Sequence, residues 1–213
     1  MLFRSHGLLS NVTYERLAGT SVLRDFVELP SQIFEHWLAE PLVLKRHARH
    51  HLTDEPIPDA LIEKLHAARL FNQGFETVRY TASALVDMAA HALTDAQAPD
   101  VVAFEREELA RLGAPAEIGM NHRLTHFQHL FAGAGYAAGY YVYLWAEVLD
   151  ADGFEAFVEA GDPFDRAVAE RLRTFIYGAG NSLEPGAAYR AFRGREPVVE
   201  PMLRQRGLVE QGA

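Results

Sequence analysis

Apolar residues recur at intervals of three and four along most of the chain, and this spacing predicts a structure made almost entirely of helices. The longest pattern covers residues 57–93, with Pro58 and Asp59 at its start and Gly74 as a candidate break. Strand-like alternation is confined to NVTYERL, residues 11–17. The predicted fold class is therefore all-α, a multi-helix domain. Shorter helices are predicted over 100–112, 136–160 with an interruption near 150–153, 162–180, 185–194 and 199–207.

The segment GYYVYLWAEVL, residues 139–149, is apolar on more than one side of its predicted helix, and such a helix needs packing neighbours all round. The chain also opens directly into HGLLSNVTY, without an N-cap or lead-in. Either the domain is densely packed, or some of the surfaces that cover its helices belong to sequence outside these 213 residues. The pattern leaves both interpretations open.

The composition is that of a globular protein with a core, since 49% of the residues are apolar and 23% are charged. The formal charge is −9 and the basic residues are dispersed, which argues against nucleic acid and anionic membranes as partners. There is no cysteine, so disulfides and thiolate chemistry are excluded. No apolar run reaches the ~18–20 residues that span a bilayer. The N-terminal MLFRSHGLLSN makes a poor secretory signal, and we expect a cytoplasmic protein.

The first candidate for chemistry is Glu28, a carboxylate between apolar residues in RDFVELPSQIFEHW. If Pro30 lies in the first turn of a helix, the polar residues that follow would support Glu28 as a metal ligand. These residues are Ser31, Gln32 and Glu35. Alternatively, Glu28 is an N-terminal glutamate that favours the helix dipole, with ordinary polar residues after it. The residues alone favour this second interpretation.

The second candidate is the aromatic stretch HRLTHFQHLFAGAGYAAGYYVYLW. Tyr136, Tyr140 and Tyr143 fall at i, i+4 and i+7, so a helix would place them on one face. Together with a histidine they would suit binding of a peptide backbone or of a developing oxyanion. An aromatic core stripe is the alternative and the more usual arrangement. The glycines of GAGYAAG shift the balance toward a site, because they allow another backbone to approach closely. The preceding histidines, which one continuous helix would align, are His122, His126 and His129.

A third group of candidates lies in KRHARHHL. His47 and His51 have i, i+4 spacing and could bind a metal if the segment is helical, with His50 beside them. Arg46 and Arg49 would repel a cation, so a solvated polar face is the favoured interpretation. The chain contains no phosphate-binding glycine loop, nucleophile elbow, cysteine-based zinc pattern or H-E-x-x-H motif.

Four segments also occur in a fixed order: GTSVLRDFVELPSQIFEHW, FNQGFETVRYTASALVDMAAH, HFQHLFAGAGYAAGYYVYLWAEVLDADGFEAF and YRAFRGREPVVEPMLRQRGL. Together they resemble the thimet oligopeptidase and peptidyl-dipeptidase family of zinc metallopeptidases, especially its bacterial peptidyl-dipeptidase and oligopeptidase A branch. The resemblance runs from about His6 to Leu208. It implies that residues 1–208 are the C-terminal portion of the catalytic domain of a zincin-type oligopeptidase, and that 209–213 form a tail.

The resemblance also implies a metal site to which this chain contributes one ligand. In the family an H-E-x-x-H helix runs directly into a segment like HGLLSNVTY, which places the second zinc histidine at Phe3 and the first before Met1. The third zinc ligand maps to Glu28, which reverses the preference drawn from the residues alone. Gln32 and Glu35 then become candidate supporting groups. We therefore expect a truncated chain that does not stably bind zinc alone.

The same resemblance implies which residues hold the substrate. The family hydrolyses short peptides by attack of a zinc-activated water, with a histidine and tyrosines that bind substrate and stabilise the tetrahedral intermediate. By matching, the catalytic residues are His129, Tyr136 and Tyr143. Tyr140 joins His129 and Tyr136 in substrate binding.

The residues and the resemblance together support three hypotheses. The first is the C-terminal portion of a zinc oligopeptidase that is inactive alone. The second is a non-catalytic peptide-binding domain, or one chain of a split peptidase that pairs with a missing N-terminal part. The third, ranked low, is a metal site built from His6, His36 or the histidines of 47–51. Apolar surface that a missing part would cover predicts self-association.

Overall fold

The computed structural model describes residues 3–94 and 100–209. Among these residues the one β-type feature is an isolated bridge between Arg49 and Pro56, and the all-α fold class is confirmed. The α-helices are α1 (Phe3–Leu9), α2 (Arg24–Val27), α3 (Leu29–Gln32), α4 (Pro41–His47), α5 (Asp59–Arg69), α6 (Gln73–His91), α7 (Val101–Arg111), α8 (Gln128–Phe131), α9 (Val142–Ala160), α10 (Arg166–Leu172), α11 (Pro185–Arg193) and α12 (Glu200–Gln205). Short 3₁₀ helices cover Glu15–Leu17, Ile33–Ala39 and Leu124–His126, and a π-helical turn covers Arg173–Gly178. No helix in this described part is long and apolar enough to cross a membrane.

Helix ends match the sequence pattern where a side chain accepts hydrogen bonds from the first amides, or where a glycine allows the left-handed turn that ends the helix. Asp100 accepts two amide hydrogen bonds of 2.9 Å at the start of α7. Glu184 caps α11 in the same way, immediately ahead of Pro185. Gly113 and Gly194 follow α7 and α11 with φ of 70° and 87°, a backbone conformation that suits glycine. These stops need no distant contacts, which is why the sequence predicts them.

The pattern over 57–93 divides into two helices, α5 and α6, but not at Gly74. The break lies at Asn72, whose φ of 57° is left-handed, and Gly74 lies inside the first turn of α6. Asparagine tolerates this conformation better than most residues because its short polar side chain bonds locally. Pro58 and Asp59 begin α5 as predicted.

The predicted helix over 136–160 is wrong in its start and in its interruption. Ala138 has φ 54°, so no right-handed helix can run through it. Helix α9 begins after it, at Val142. The helix then continues unbroken through 150–153. Gly153 fits inside it because a Cβ there would lie 3.1 Å from Phe192 and 3.2 Å from Ile33.

Two shorter predictions also differ from the structure. The strand-like segment NVTYERL contains a 3₁₀ turn, Glu15–Leu17, and no strand. The helix predicted over 162–180 begins at Arg166, where the carboxylate of Asp165 accepts a hydrogen bond of 2.8 Å from the amide of Val168. Of the expected tail at 209–213, residues 210–213 lie outside the described residues.

The chain divides into two compact units. Unit 1 is the described part of Met1–Phe71 and Trp145–Ala213, and unit 2 is that of Asn72–Leu144. The core of unit 1 is rich in aromatic residues and includes Phe26, Leu29, Ile33, Leu149, Phe154, Phe157, Leu172, Ile176, Tyr177, Tyr189 and Phe192.

A buried polar network joins α9 to α11 within unit 1. Asp152 is fully buried and accepts hydrogen bonds from the Tyr189 hydroxyl at 2.7 Å and from Arg195 at 2.5 Å. Arg193 donates a hydrogen bond to the Asp152 carbonyl at 2.8 Å and forms a bidentate salt bridge with Glu159 at 2.9 and 2.6 Å. The buried charges are therefore paired, as their burial requires.

Unit 2 has a smaller core. Its main cluster of buried apolar residues comes from α6, from the segment between α7 and α8, from α8 and from the turn before α9. The members are Ala84, Val86, Met120, Leu124, Phe127, Leu130 and Tyr140. Glu105 of α7 is buried and ties this segment down, since it accepts a hydrogen bond of 2.9 Å from the amide of Leu124. Arg123 lies 2.9 Å from the same carboxylate.

Candidate functional site

Glu28 lies at the junction between α2 and α3 in unit 1 and is only 4% exposed. Its carbonyl accepts hydrogen bonds from the amide of Gln32 at 3.0 Å and from the hydroxyl of Ser31 at 2.8 Å. The same hydroxyl lies 3.3 Å from Oε2 of Glu28. Pro30 is in the first turn of α3, as predicted. The turn therefore fixes the backbone at Glu28, and Ser31 contacts its buried carboxylate.

The π-helical turn fixes the segment that follows Glu28. The hydroxyl of Tyr177 donates a hydrogen bond of 2.5 Å to the carbonyl of Pro30, and its ring stacks on Phe34 at 4.9 Å. Burial raises the pKa of the Tyr177 phenol far above its usual range, so the hydroxyl keeps its proton and remains a donor. A π-turn changes the direction of side chains relative to an α-helix, and such turns are frequent at functional sites.

The two predicted supporting groups fall in different surroundings. Gln32 is half-buried in α3, whereas Glu35 is exposed on the 3₁₀ helix Ile33–Ala39. Near Glu35, burial raises the pKa of Asp150 to about 6, the hydrogen bond of 2.7 Å with His36 opposes this, and the charges of Glu147 and Glu35 add to it. The supporting role of Gln32 and Glu35 stays a prediction.

The residues present do not by themselves fit a zinc ion. Within 3–94 and 100–209, no group of three or more histidine, cysteine, aspartate or glutamate side chains is arranged to hold a metal. Protein zinc sites use at least three such ligands. Glu28 supplies one, and the 213 residues contain no H-E-x-x-H. A complete site would need ligands from outside this set.

The other histidines considered as ligands do not assemble either. Helix α4 ends at His47, so His47 and His51 do not share a helical face, and both are exposed together with His50. This agrees with the favoured interpretation of a solvated segment. His6 of α1 is fully buried, and neither ring nitrogen has a hydrogen-bond partner among the described residues. Burial lowers the pKa of His6 to about 4.

In unit 2 the structure brings together all four residues predicted from the aromatic stretch. The ring centroid of His129 lies 6.0 Å from that of Tyr136 and 6.1 Å from that of Tyr140. It lies 6.4 Å from the ring of Tyr143. Tyr136 and Tyr143 stack at 5.6 Å with an angle of 7° between their rings. The four side chains form one cluster, called here the tyrosine cluster.

The tyrosine cluster does not arise from the helical face that the sequence predicts. Tyr136 and Tyr140 precede α9, and only Tyr143 lies on it. The histidines at 122, 126 and 129 do not share a continuous helix, since a 3₁₀ turn ends at His126 and α8 begins at Gln128. A turn through Ala138, with φ 54°, folds the tyrosines back toward His129.

Tyr140 is held by several hydrogen bonds and is only 8% exposed. Its amide donates a hydrogen bond of 2.9 Å to Asp87, and its carbonyl accepts one from the hydroxyl of Tyr80. The amide group of Asn121 donates to the Tyr140 hydroxyl at 3.2 Å. Sequence reasoning missed these three partners. For Asp87 the available signal was a carboxylate inside the apolar stretch ASALVDMAA.

An open cavity of about 340 Å³ adjoins the cluster. It is lined by Gln128, His129, Ala132, Gly133, Gly135 and Tyr136. The imidazole and phenol that border it can donate hydrogen bonds to a carbonyl oxygen, and the glycines leave room for a second backbone. This arrangement suits an extended peptide.

Comparison with known proteins shows which family the chain belongs to. The family model described as Peptidase family M3 matches residues 5–208, and the chain belongs to this family. This confirms the resemblance drawn from the four segments.

Named relatives support the same assignment. The chain is 44% identical over 206 residues to the dipeptidyl carboxypeptidases of Salmonella typhimurium and Escherichia coli, a match that covers 95% of this chain. It is 38% identical over 208 residues, again 95% of the chain, to oligopeptidase A of Escherichia coli. In each case the match spans 30% of the length of the relative.

Proposed function

We propose that the chain supplies one wall of the peptide-binding cleft and one zinc ligand of a peptidase that hydrolyses short peptides. The observation that carries the proposal is the tyrosine cluster, in which His129 lies within 6.4 Å, centroid to centroid, of each of three tyrosines beside an open cavity. Membership of peptidase family M3 supports the reaction class.

In this proposal the cluster binds the peptide backbone. His129 and Tyr136 border the cavity and hydrogen-bond substrate carbonyls, and Tyr143, stacked on Tyr136, joins them where negative charge develops on the carbonyl under attack. The buried Tyr140 binds substrate together with His129 and Tyr136, as the resemblance implies. A zinc ion held by Glu28 together with ligands from outside these residues would supply a Lewis acid and an activated water.

Glu28 is the proposed contribution of the chain to the metal site. Its burial and its bonding to Ser31 support a fixed carboxylate, and Gln32 and Glu35 are proposed to support it. Because one carboxylate does not make a zinc site, we propose that the 213 residues alone are inactive and do not hold zinc stably.

Hydrolysis of a fluorogenic short peptide by the purified 213-residue chain tests this proposal. We expect no cleavage above background with or without added zinc, because the remaining ligands and the general base are absent from these residues. Chelator-sensitive cleavage together with stoichiometric bound zinc would contradict it.

A complementation experiment separates the peptidase from a purely peptide-binding domain. The chain is mixed with the remaining N-terminal part of the Escherichia coli dipeptidyl carboxypeptidase, and chelator-sensitive peptide hydrolysis is measured. Restored activity that is lost with Glu28→Gln but kept with Glu105→Gln, a buried glutamate of unit 2, supports the split-enzyme arrangement. Peptide binding without restored activity favours the alternative, a non-catalytic peptide-binding domain, which the incomplete ligand set also allows.

A further inference from the structure

Asp87 is a buried carboxylate on α6 whose two oxygens both accept hydrogen bonds from the turn that precedes α9. Oδ1 accepts from the amide of Ala138 at 3.0 Å, and Oδ2 accepts from the amide of Tyr140 at 2.9 Å. Asp87 is 1% exposed. Hydrogen bonds from two backbone amides to one buried carboxylate are strong because the acceptor is charged.

A third group restrains the same carboxylate. Nδ1 of His91, one turn further along α6, lies 2.8 Å from Oδ1 of Asp87. The ring of His91 stacks on Phe131 at the end of α8, with centroids 5.5 Å apart. Asp87 therefore links α6 directly to the turn. His91, which contacts Asp87, packs α6 against Phe131 of α8, the helix that carries His129.

The turn that Asp87 holds contains a strained residue. Ala138 has φ 54°, a left-handed conformation that disfavours residues with a Cβ. Such a conformation persists only where surrounding contacts determine it, and the bond from the Ala138 amide to Asp87 is one such contact. This conformation lies between Tyr136 and Tyr140, so it sets the direction in which Tyr136 returns toward Tyr143.

The two ends of the glycine-containing segment differ in exposure. Gly133 and Gly135, which line the cavity, are exposed, whereas Gly139 and Tyr140 are buried. Asp87 bonds only the second end. The carboxylate of Asp87 therefore holds the buried end of the segment that carries Tyr136.

We propose that Asp87 is a positioning residue that fixes the Ala138–Tyr140 turn and thereby keeps Tyr136 stacked on Tyr143 beside His129, in a geometry able to receive a peptide. The proposal rests on the proposed function of the tyrosine cluster as the peptide site. Asp87 itself touches no substrate, since both of its oxygens are occupied by the turn and by His91.

The wild-type chain provides the first test, which requires no variant. Hydrogen exchange resolved to single amides is measured across residues 132–142. We expect the Ala138 and Tyr140 amides to exchange at least about tenfold more slowly than those of Gly133 and Gly135, because hydrogen bonds to a buried charged acceptor protect them. Equal exchange along the whole segment would overturn the proposal even if every Asp87 variant failed to fold.

The second test compares Asp87→Asn with Glu105→Gln. Each change neutralises a buried carboxylate of unit 2 that accepts backbone amide bonds, but Glu105 holds Leu124 and not the turn. We expect Asp87→Asn to speed exchange at Ala138 and Tyr140 by about tenfold, since asparagine retains a single acceptor oxygen. Glu105→Gln should leave these amides unchanged. Faster exchange throughout unit 2 in both variants would mean that Asp87 only supports folding.

A spectroscopic signature tests the effect on the cluster itself. In the chain labelled with ¹³C-tyrosine, the stacked rings of Tyr136 and Tyr143 should show ring-current shifts that collapse in Asp87→Asn. Tyr177 and Tyr189 in unit 1 serve as internal references. Unchanged Tyr136 and Tyr143 signals in a variant whose turn has opened would overturn the proposal.

Binding of a short blocked alanine–phenylalanine peptide, followed through the same tyrosine signals, connects the turn to function. We expect Asp87→Asn to weaken binding by tenfold or more and Glu105→Gln to leave it unchanged. If the wild-type chain does not bind the peptide, the proposed function fails while exchange and ring shifts still report on Asp87. If Asp87→Asn binds as well as wild type, the positioning role fails and the peptide site stands.

Discussion

Asp150 shows how the fold changes the chemistry of a single side chain. It lies on α9, almost fully buried, with His36 bonded to it at 2.7 Å and the His36 ring stacked on Phe154 at 4.6 Å. Burial is the largest influence and raises the pKa of Asp150 to about 6, although the contact with His36 opposes it. Between about pH 4 and pH 6, Asp150 is therefore still protonated in the folded chain, whereas the same carboxyl group in the unfolded chain has lost its proton.

This shift predicts how stability depends on pH. Because the pKa of Asp150 is raised on folding, its contribution is fully present below about pH 4 and is lost as the pH rises through about 6. Between about pH 5 and pH 7, the free energy of unfolding of the wild-type chain should fall by about 1 kcal/mol relative to that of Asp150→Asn. Urea unfolding of both proteins across this range measures it. A difference that does not change with pH would contradict the assignment.

At the same scale, the sequence predicts which residues form the tyrosine cluster but not why they meet. Tyr136, Tyr140 and Tyr143 were predicted from helical spacing, and the structure brings them together through a left-handed Ala138 instead. The hydrogen bonds that hold this turn come from Asp87, which is distant in sequence. A spacing argument considers neighbours along one element, so it could not find this partner.

Among the elements, α9 is the clearest case of packing that overrides local preference. Glycine within a helix costs about 1 kcal/mol relative to alanine, and the sequence therefore predicts an interruption near 150–153. The helix continues because Gly153 lets the fully buried Phe192 and Ile33 pack against its backbone. The close approach compensates for the poor helix propensity of glycine.

Two glycine substitutions test this explanation. Gly153→Ala should destabilise the chain by about 1–2 kcal/mol, because the new Cβ would lie 3.1 Å from Phe192 and 3.2 Å from Ile33, both of which are fully buried. Gly74→Ala is the matched control inside α6, where an added Cβ meets nothing within 4 Å. It should stabilise by up to about 1 kcal/mol. Both effects can be read from denaturant unfolding, and stabilisation by Gly153→Ala would refute the packing argument.

For the molecule as a whole, the notable surface feature is exposed apolar area. Leu8 is 84% exposed on α1, and Leu9 next to it lines an apolar groove of about 390 Å³ in unit 1, together with the exposed Phe164. Phe71 and Phe131 are other large exposed side chains. Contiguous exposed apolar surface favours association, whereas single exposed residues are ordinary.

We therefore expect the 213-residue chain to self-associate at high concentration, as the sequence also predicted. Phe164→Lys should shift the equilibrium toward monomer, because Phe164 is exposed and lines the groove, so the change places a charge there. Leu52→Lys is the control, since Leu52 is 80% exposed but flanked by histidine and threonine. Multi-angle light scattering measures the mass of each protein. A wild-type chain that stays monomeric at high concentration would contradict the prediction.

The sequence by itself determined the features that depend on residues close together in the chain. Helical periodicity gave the all-α class, Pro58 and Asp59 gave the start of α5, and ordered motifs gave the peptidase family. These follow from local backbone hydrogen bonding and from side-chain spacing, which need no distant partner.

The tertiary structure decided what depends on residues far apart in the chain. It buried Asp150 and raised its pKa, kept Gly153 inside α9, and used Asp87 to hold the turn that assembles the tyrosine cluster. Each outcome depends on which side chains meet across the fold, and on the exclusion of water around them. A linear pattern does not contain that information.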